Sequence, residues 1–312
     1  MSGINLYTPE FYAACTMGGV LSCGLTHTFV TPLDLVKCRR QVNPKLYSSI
    51  FNGWATIYKS RGVAGLFEGW VPTLIGYSMQ GACKFGFYEY FKKTFADMAG
   101  EEFANKNRTL IYMTASASAE VIADVALCPM EALKVRMQTS TEPFANSTAA
   151  GFSKILKTEG VSGFYKGLTP LWLRQVPYTV MKFSAFEKCV EAIYTHGLSK
   201  PKHHYNKMEQ LGVTFVAGYW AGIFCALVSH PADTVVSKLN NVEKKAGQGT
   251  LGAIGGILKE VGFRGIWTGL GARIVMIGTL TALQWFIYDT FKVYVGLPTS
   301  GAAQKAVEEG SK

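Results

Sequence analysis

The sequence predicts an all-α membrane protein: six transmembrane helices in three two-helix repeats around a pseudo-threefold axis, with a short surface helix in the loop inside each repeat. Two observations carry this prediction, a pair of motifs that recurs three times and long apolar stretches along the 312 residues. Self-similarity at a long fixed period indicates a repeat architecture. We expect one transmembrane domain made of repeats 1–104, 105–203 and 204–298, followed by a disordered tail, 299–312.

The first motif is a proline followed two residues later by an acid and then by a base. Proline inside a helix kinks it, so three such helices can converge at one end of a bundle. The three copies are Pro32-Leu-Asp34-Leu-Val-Lys37, Pro129-Met-Glu131-Ala-Leu-Lys134 and Pro231-Ala-Asp233-Thr-Val-Val-Ser-Lys238. The second motif, a glycine and then an aromatic residue two before another glycine, begins at Gly62, Gly160 and Gly262.

The apolar stretches are each long enough to cross a hydrocarbon layer as a helix, which takes about 20 residues. Backbone groups in lipid must be bonded internally, so helices are the expected form. Ionisable residues within them should face the bundle interior or a water-filled cavity. The stretches run over about 11–33, 70–91, 110–133, 168–194, 211–235 and 272–295, and short amphipathic segments near 49–59, 149–158 and 249–260 predict surface helices.

Composition narrows the class of function. The net charge is +10, but the basic residues are spread over every loop, which does not favour nucleic acid as a partner. Seven scattered cysteines without a CxxC pair predict neither a disulfide framework nor a zinc site. The sequence contains no Ser-His-Asp arrangement, HExxH, P-loop or GxGxxG turn, so we expect no enzyme and no cofactor. A non-transporting scaffold would not need cationic spans.

The triple occurrence of both motifs resembles the mitochondrial carrier family, over nearly the whole chain. The resemblance implies a multi-pass protein of the mitochondrial inner membrane with both termini outside the matrix. It also implies a monomeric transport unit that works by alternating access, with membrane lipid, including cardiolipin, as a partner.

The resemblance implies a set of gate residues at each end of the bundle. Similar carriers pair each acid with the base of the next odd helix, giving Asp34–Lys134 and Asp233–Lys37. Glu131 lacks such a partner, because position 236 is valine; Lys238, about one turn away, is the alternative base for it. The matrix gate comprises Asp34, Lys37, Glu131, Lys134 and Asp233, braced by Gln41 and Gln138. The cytoplasmic gate comprises Glu89, Lys92, Glu187, Asp289 and Lys292, with two interhelical pairs available; its middle copy ends in Val190 instead of a base.

Alignment of the even helices on Gly69, Gly167 and Gly269 identifies candidate substrate residues. In similar carriers the positions seven and eight residues on touch the substrate, and only Arg174 and Gln175 are strongly polar there. Fifteen residues on lie Lys84, Lys182 and Gln284. Three cations with few apolar contacts suit a small compact anion. The candidate substrate-binding residues are Gln80, Lys84, Arg174, Gln175 and Lys182.

Titratable residues on the odd helices suggest a proton path. Glu120, Asp124 and Glu131 are four and seven residues apart and share a helix face, as do His27 and Asp34. Histidine changes charge near neutral pH. We therefore assign proton coupling to His27, Glu120, Asp124 and Glu131.

These residues resemble the phosphate-transporting branch of the family, which implies symport of inorganic phosphate with a proton, or exchange for hydroxide. Copper is the alternative cargo, additional or main, because some relatives in that branch are associated with copper. Cys23 and His27 are four residues apart on one helix face, a spacing that can hold a metal ion.

Overall fold

The computed structural model describes residues 4–43, 45–140, 144–198, 200, 202–241, 259, 262, 265–267 and 270–301. For 41, 42, 232–241 and 272 it describes the backbone alone. The described part of the chain contains helices and no strand. The long helices are α1 (Pro9–Val42), α3 (Trp70–Ala99), α5 (Arg108–Thr139), α8 (Leu168–Ala192), α9 (Lys207–Asn241) and α10 (Leu270–Tyr294). The short ones are α2 (Ile50–Leu66), α4 (Glu101–Lys106), α6 (Thr148–Glu159) and α7 (Ser162–Tyr165), with a π-turn at Ile193–Gly197 and a 3-10 turn at Lys202–His204.

The six long helices close a ring. Each packs against its neighbours in the order α1, α3, α5, α8, α9, α10, and α10 returns to α1. The helices α1, α5 and α9, which are the first, third and fifth of the six long helices, continue through their motif prolines, Pro32, Pro129 and Pro231. Of the described helices, four contain an apolar stretch long enough to cross a membrane by length and composition; these are Pro9–Arg40, Arg108–Thr139, Lys207–Pro231 and Arg273–Tyr294.

Local sequence signals explain where the helices begin. Thr8 accepts a hydrogen bond from the Phe11 amide and Pro9 follows it, an N-cap followed by the residue that favours the first helical turn. Ser49 and Ser147 cap the surface helices α2 and α6 in the same way. Both surface helices overlap their predicted segments, whereas the third predicted segment, 249–260, lies almost entirely outside the described residues.

The glycine of the second motif has a similar positive φ in each repeat. Gly62 and Gly160 have φ of 65° and 67° with ψ of −161° and −166°, and Gly262 has φ of 63°. Side chains exclude the first two of these conformations, so glycine is required there. The repeat in the sequence is thus a repeat in the chain path.

Small residues allow the helices of the outer repeats to approach closely. A Cβ on Gly19 would lie 2.1 Å from the carbonyl oxygen of Gly81, and one on Gly222 would lie 2.6 Å from the Gly278 Cα. Backbone therefore meets backbone between α1 and α3 and between α9 and α10. At the position equivalent to Cys23 and Gly222, the middle repeat has Glu120, which is fully buried.

The predicted tail boundary at 299 is wrong for its first residues. Thr299 and Ser300 are 1% and 6% exposed and hydrogen-bonded to the ring of helices. The physical reason is a turn after α10 that sends the chain back across the end of the bundle. Residues 302–312 lie outside the described part of the chain.

Candidate functional site

A cluster of charged side chains lies between α3 and α5. Lys84 Nζ is 2.9 Å from Glu120 Oε2, and both side chains are almost completely buried. The Gln80 amide donates to Glu120 Oε1 at 3.0 Å and to Asp124 Oδ1 at 3.1 Å. Gln80 and Lys84 lie one turn apart on α3, as Glu120 and Asp124 do on α5, so the two pairs face each other. Asp124 Oδ2 is buried and has no hydrogen-bond partner among the described residues.

The cluster extends across the axis to α8, α10 and α1. Lys84 Nζ donates to Thr179 Oγ1 at 3.3 Å, and Lys182 lies one turn after Thr179 on α8. Lys182 Nζ donates to the Gln284 side-chain oxygen. The Gln284 amide donates in turn to Thr26 Oγ1 at 3.2 Å. The three positions aligned in the sequence, Lys84, Lys182 and Gln284, therefore belong to one polar network at one level of the bundle.

The charges of this network balance. Four charged side chains are buried at this level: Lys84 and Lys182 carry two positive charges, and Glu120 and Asp124 carry two negative charges when ionised. Buried charge is tolerated when it is paired and hydrogen-bonded, and it becomes costly when one partner is left unmatched. An anion bound here would add one negative charge to four side chains whose charges balance when all are ionised.

An aromatic layer closes the axis on the cytoplasmic side of this cluster. Phe85, Phe183 and Trp285, one from each repeat, have ring centres 5.2 to 5.4 Å apart in every pair. Each is the residue directly after the aligned positions 84, 182 and 284. Sequence reasoning missed this layer, although its signal was an aromatic residue sixteen positions after each aligned glycine. The layer separates the charged cluster from the cytoplasmic gate.

The cytoplasmic gate has one interhelical ion pair among its described residues. Lys92 Nζ lies 3.7 Å from Glu187 Oε1 of α8 and 2.8 Å from Glu89 of its own helix. The Tyr88 hydroxyl donates to Glu187 at 3.3 Å. No acid lies within 4 Å of Lys292 in the described part of the chain, so a second pair is available but not formed. The reason is that Asp289 and Lys292 both contact Ser300 instead.

The matrix gate is held by Lys134. Its Nζ lies 3.3 Å from Asp34 Oδ2 on α1 and 3.7 Å from Glu131 Oε2 on its own helix. It also lies 4.9 Å from the centre of the Tyr77 ring, on which His27 stacks at 3.7 Å. Glu131, expected to lack a partner, therefore has the base of its own motif. The Asp233–Lys37 pair lies outside the described side chains, because that of Asp233 is not described.

The brace predicted at Gln138 bonds elsewhere. Its amide donates to the Glu68 carbonyl at 3.4 Å rather than to the Asp34–Lys134 pair. Gly69 has no Cβ, which leaves room for the Gln138 side chain above it. Gln138 thus connects α5 to the start of α3. The side chain of Gln41 lies outside those described.

Four predicted residues lie outside the charged cluster: Arg174, Gln175, Cys23 and His27. Arg174 is exposed and Gln175 half-buried, about 12 Å along α8 from Lys182. Cys23 is 1% exposed and His27 half-buried. The structure brings Gln80, Lys84, Lys182, Glu120 and Asp124 together, and it does not bring Arg174 and Gln175 to the same level. The described residues contain no group of three or more His, Cys, Asp and Glu side chains that could hold a metal ion.

Outside the membrane-spanning helices, the pKa values of Glu159 and Lys202 are shifted. Hydrogen bonds from Arg136 and Lys166 lower the pKa of the Glu159 carboxyl on α6 to about 2. Burial lowers the pKa of the Lys202 ammonium, in the connector between α8 and α9, to about 8.

Comparison with known proteins identifies the scaffold. The chain matches the family model described as mitochondrial carrier protein three times, over residues 8–99, 105–197 and 207–297. The chain belongs to the mitochondrial carrier family. It is therefore a transporter of the inner mitochondrial membrane that spans it several times, and not an enzyme, which confirms the predicted fold class, location and non-enzymatic nature.

Several curated relatives are similar along nearly the whole chain. Mitochondrial phosphate carrier protein 3 of Arabidopsis thaliana is 58% identical over 97% of this chain and 79% of its own length. The probable mitochondrial phosphate carrier protein of Schizosaccharomyces pombe is 56% identical over 96% of both chains. Human solute carrier family 25 member 3 is 57% identical over 93% of this chain and 78% of its own length.

Proposed function

We propose that this carrier imports inorganic phosphate together with a proton into the mitochondrial matrix. The names of its relatives support phosphate as the cargo. The observation that carries the coupling is the balanced buried cluster, in which two lysines already face two carboxylates. Dihydrogen phosphate would bring one unmatched negative charge into this network. A proton taken up by one carboxylate cancels that charge.

The proposal gives each cluster residue a role. Lys84 and Lys182 hold the phosphate oxyanions, since ammonium groups form strong charge-assisted hydrogen bonds to phosphate. When phosphate draws Lys84 away from Glu120, that carboxylate loses its partner and takes the proton. Gln80 bonds to both Glu120 and Asp124 and keeps them side by side. The unpaired Asp124 Oδ2 offers the second place for the same proton.

The remaining predicted residues lead from the cluster towards the matrix gate. Arg174 and Gln175 lie on the gate side of Lys182 on the same helix, where a guanidinium can receive the anion next. His27, beside Tyr77 and Lys134, and Glu131, beside Lys134, lie where the proton leaves. Carrying proton and anion together makes the cargo neutral. Transport then avoids the cost of about 2.3 kcal/mol per charge for each 100 mV of matrix-negative potential.

Uptake of labelled phosphate into proteoliposomes tests the proposal. We expect uptake by the parent protein when the lumen is alkaline, and much slower uptake without a pH gradient. Lys84→Met and Lys182→Met should each remove uptake, and His27→Ala and Glu120→Gln should impair the pH-driven part while the protein still inserts. Normal pH-driven uptake in both His27→Ala and Glu120→Gln contradicts the assigned proton path. No phosphate uptake by the parent contradicts the function itself.

Copper remains the alternative cargo predicted from the sequence, and no contact of Cys23 or His27 favours it further. A Cys23→Ala variant separates the two cargoes: loss of copper uptake with phosphate uptake retained would assign copper to this pair. The monomeric transport unit and cardiolipin as a lipid partner likewise remain predictions. Sedimentation of the detergent-solubilised protein and native mass spectrometry test them directly.

A further inference from the structure

The cytoplasmic gate is asymmetric, because one of its three motif copies lacks the basic residue that the other two have. Its outer copies end in the bases Lys92 and Lys292, whereas the middle copy ends in Val190. Three gate acids, Glu89, Glu187 and Asp289, therefore face two gate lysines. Asp289 is fully buried and has no lysine within 4 Å in the described part of the chain. A buried carboxylate without a cation requires other donors.

The chain after α10 supplies those donors. We call residues Leu297–Gly301 the strap. The Ser300 amide donates to both carboxylate oxygens of Asp289 at 2.9 Å, and Thr214 donates its hydroxyl proton to the same carboxylate at 2.7 Å. Lys292 Nζ donates to Ser300 Oγ at 3.1 Å. Asp289 is thus satisfied by backbone and hydroxyl groups in place of the missing base.

A turn encoded in the sequence places the strap there. Gly296 has φ of 84°, its amide donates to the Val293 carbonyl, and the Leu297 amide donates to the Lys292 carbonyl at 2.8 Å. These two bonds and the left-handed glycine form a Schellman motif, which ends a helix and reverses the chain. Leu297 follows it and is buried at 1% exposure.

The strap also contacts the middle repeat and the connector that follows it. A Cβ on Gly301 would lie 2.6 Å from Val190 Cγ1, so the strap packs directly on the residue that replaces the base. Lys202, in the connector, donates to the carbonyls of Thr299, Ser300 and Gly301 at 2.8, 3.3 and 2.6 Å. Thr299 Oγ1 donates to Gln210 on α9 at 3.0 Å. Lys202 therefore brings a third cation to the gate through the strap.

We propose that the strap is the third bond of the cytoplasmic gate. It joins α8 and the connector after it to α10, at the place where the middle repeat lacks a base. For the gate to open, the strap must separate from Val190. It forms one wall of a cavity of about 930 Å³ at this end of the bundle, which gate residues also line. Its attachment to both α8 and α10 means that separation of these helices breaks one side of it.

A reversible cross-link tests the transport part of the proposal. In the full-length chain with Cys189→Ser, Val190→Cys and Gly301→Cys together should form a disulfide on oxidation after the strap shifts by about 1 Å, because the two Cβ atoms start 2.8 Å apart and a disulfide holds them about 3.8 Å apart. We expect phosphate uptake to fall to background in the oxidised double variant and to return on reduction, while oxidation leaves each single variant unchanged. Full uptake by the cross-linked protein overturns the proposal.

A second test does not depend on the cargo. Ser300→Pro removes the amide that bonds to Asp289, whereas Ser300→Ala keeps it and loses only the hydroxyl. We expect the thermal unfolding midpoint in detergent to fall by several degrees for Ser300→Pro and clearly less for Ser300→Ala. Adding Val190→Lys to Ser300→Pro should recover most of the loss, because it supplies the missing base. Equal midpoints for the two serine variants, or no recovery, contradict the proposal even if the parent carries no phosphate.

Discussion

The middle repeat and the two outer repeats use one backbone for different purposes. At one equivalent position the outer repeats have Cys23 and Gly222 and the middle repeat has the buried Glu120. At another the outer repeats have Lys92 and Lys292 and the middle one has Val190. The outer repeats have small residues for helix packing at the first position and gate lysines at the second. The middle repeat has different residues at both positions: Glu120 belongs to the charged cluster, and Val190 contacts the strap.

This difference indicates where function lies on a symmetric scaffold. The three repeats share a motif proline inside a long helix and a glycine with positive φ, so symmetry accounts for the ring. A small anion does not require threefold symmetry, and in the proposed mechanism its charge is matched on one side of the axis, by residues of α3, α5 and α8. A substitution in the packing contact of an outer repeat should therefore impair folding, whereas a substitution in the charged cluster of the middle repeat should impair transport.

The largest effect is expected at the close contact within the first repeat. In Gly19→Ala the added Cβ would collide with the Gly81 backbone, which cannot move aside as a side chain could. We expect destabilisation of about 3 kcal/mol or more and loss of folded protein on size-exclusion chromatography. Gly167→Ala is the control, because nothing lies within 4 Å of its Cβ and its φ is −90°. Equal yields of the two variants would show that the backbone contact is unimportant.

Glu120→Gln should leave the fold intact and impair pH-driven transport. Lys84 then loses the carboxylate that pairs with it at 2.9 Å, Asp124 remains as the second acid of the cluster, and the proposed proton acceptor is gone. We expect pH-driven uptake to fall by at least about 10-fold, which corresponds to about 1.4 kcal/mol. The measurement is pH-driven phosphate uptake. Cys23→Ala changes the matching position of the first repeat and should retain phosphate uptake within about threefold. Comparable losses in both variants would contradict the distinction between the repeats.

Gln284→Lys should change coupling rather than abolish uptake. It gives the third repeat the cation that the other two carry at this level, so the cluster gains one positive charge. Phosphate can then enter without a proton. We expect uptake that no longer responds to a pH gradient. Uptake should also slow as the lumen is made more negative, because moving the uncompensated charge then costs up to about 2.3 kcal/mol for each 100 mV. Unchanged pH dependence would show that the charge balance of this cluster does not set the coupling.

The smallest effect is expected at the surface of the middle repeat. The pKa of Glu159 is lowered to about 2 by its bonds to Arg136 and Lys166, so its contribution to stability is complete at neutral pH. It is lost as the pH falls from about 4.5 towards 2. Glu159→Gln should lower the unfolding midpoint by only a degree or two at pH 7 and flatten its acid dependence in this window. A steep acid dependence retained in the variant would assign it to other carboxylates.

Much of this architecture could be predicted from the sequence, because repetition removes ambiguity. The three proline motifs predicted the helices α1, α5 and α9, and alignment on the three glycines predicted that Lys84, Lys182 and Gln284 lie at one level of the bundle. The side-chain partners could not be predicted in the same way. Gln138 bonds to Glu68 instead of the gate pair, and Lys134 binds two acids, since rotamers and local space decide such contacts.

The strap was missed for a different reason. Its composition is typical of a disordered tail, and its stability comes from contacts with Asp289, Lys202 and Val190, which are distant in sequence or absent from the repeat pattern. The signal that could have found it was the missing base at Val190 together with Gly296 directly after the last helix.

The most direct test of the central claim, a buried cluster that accepts phosphate only with a neutralising proton, is the ratio of protons to phosphate during uptake. It can be measured in proteoliposomes with an internal pH indicator and labelled phosphate, at several potassium-set membrane potentials. The account predicts one proton entering with each dihydrogen phosphate and a rate that does not depend on the potential. Phosphate uptake accompanied by net negative charge and no proton would contradict it.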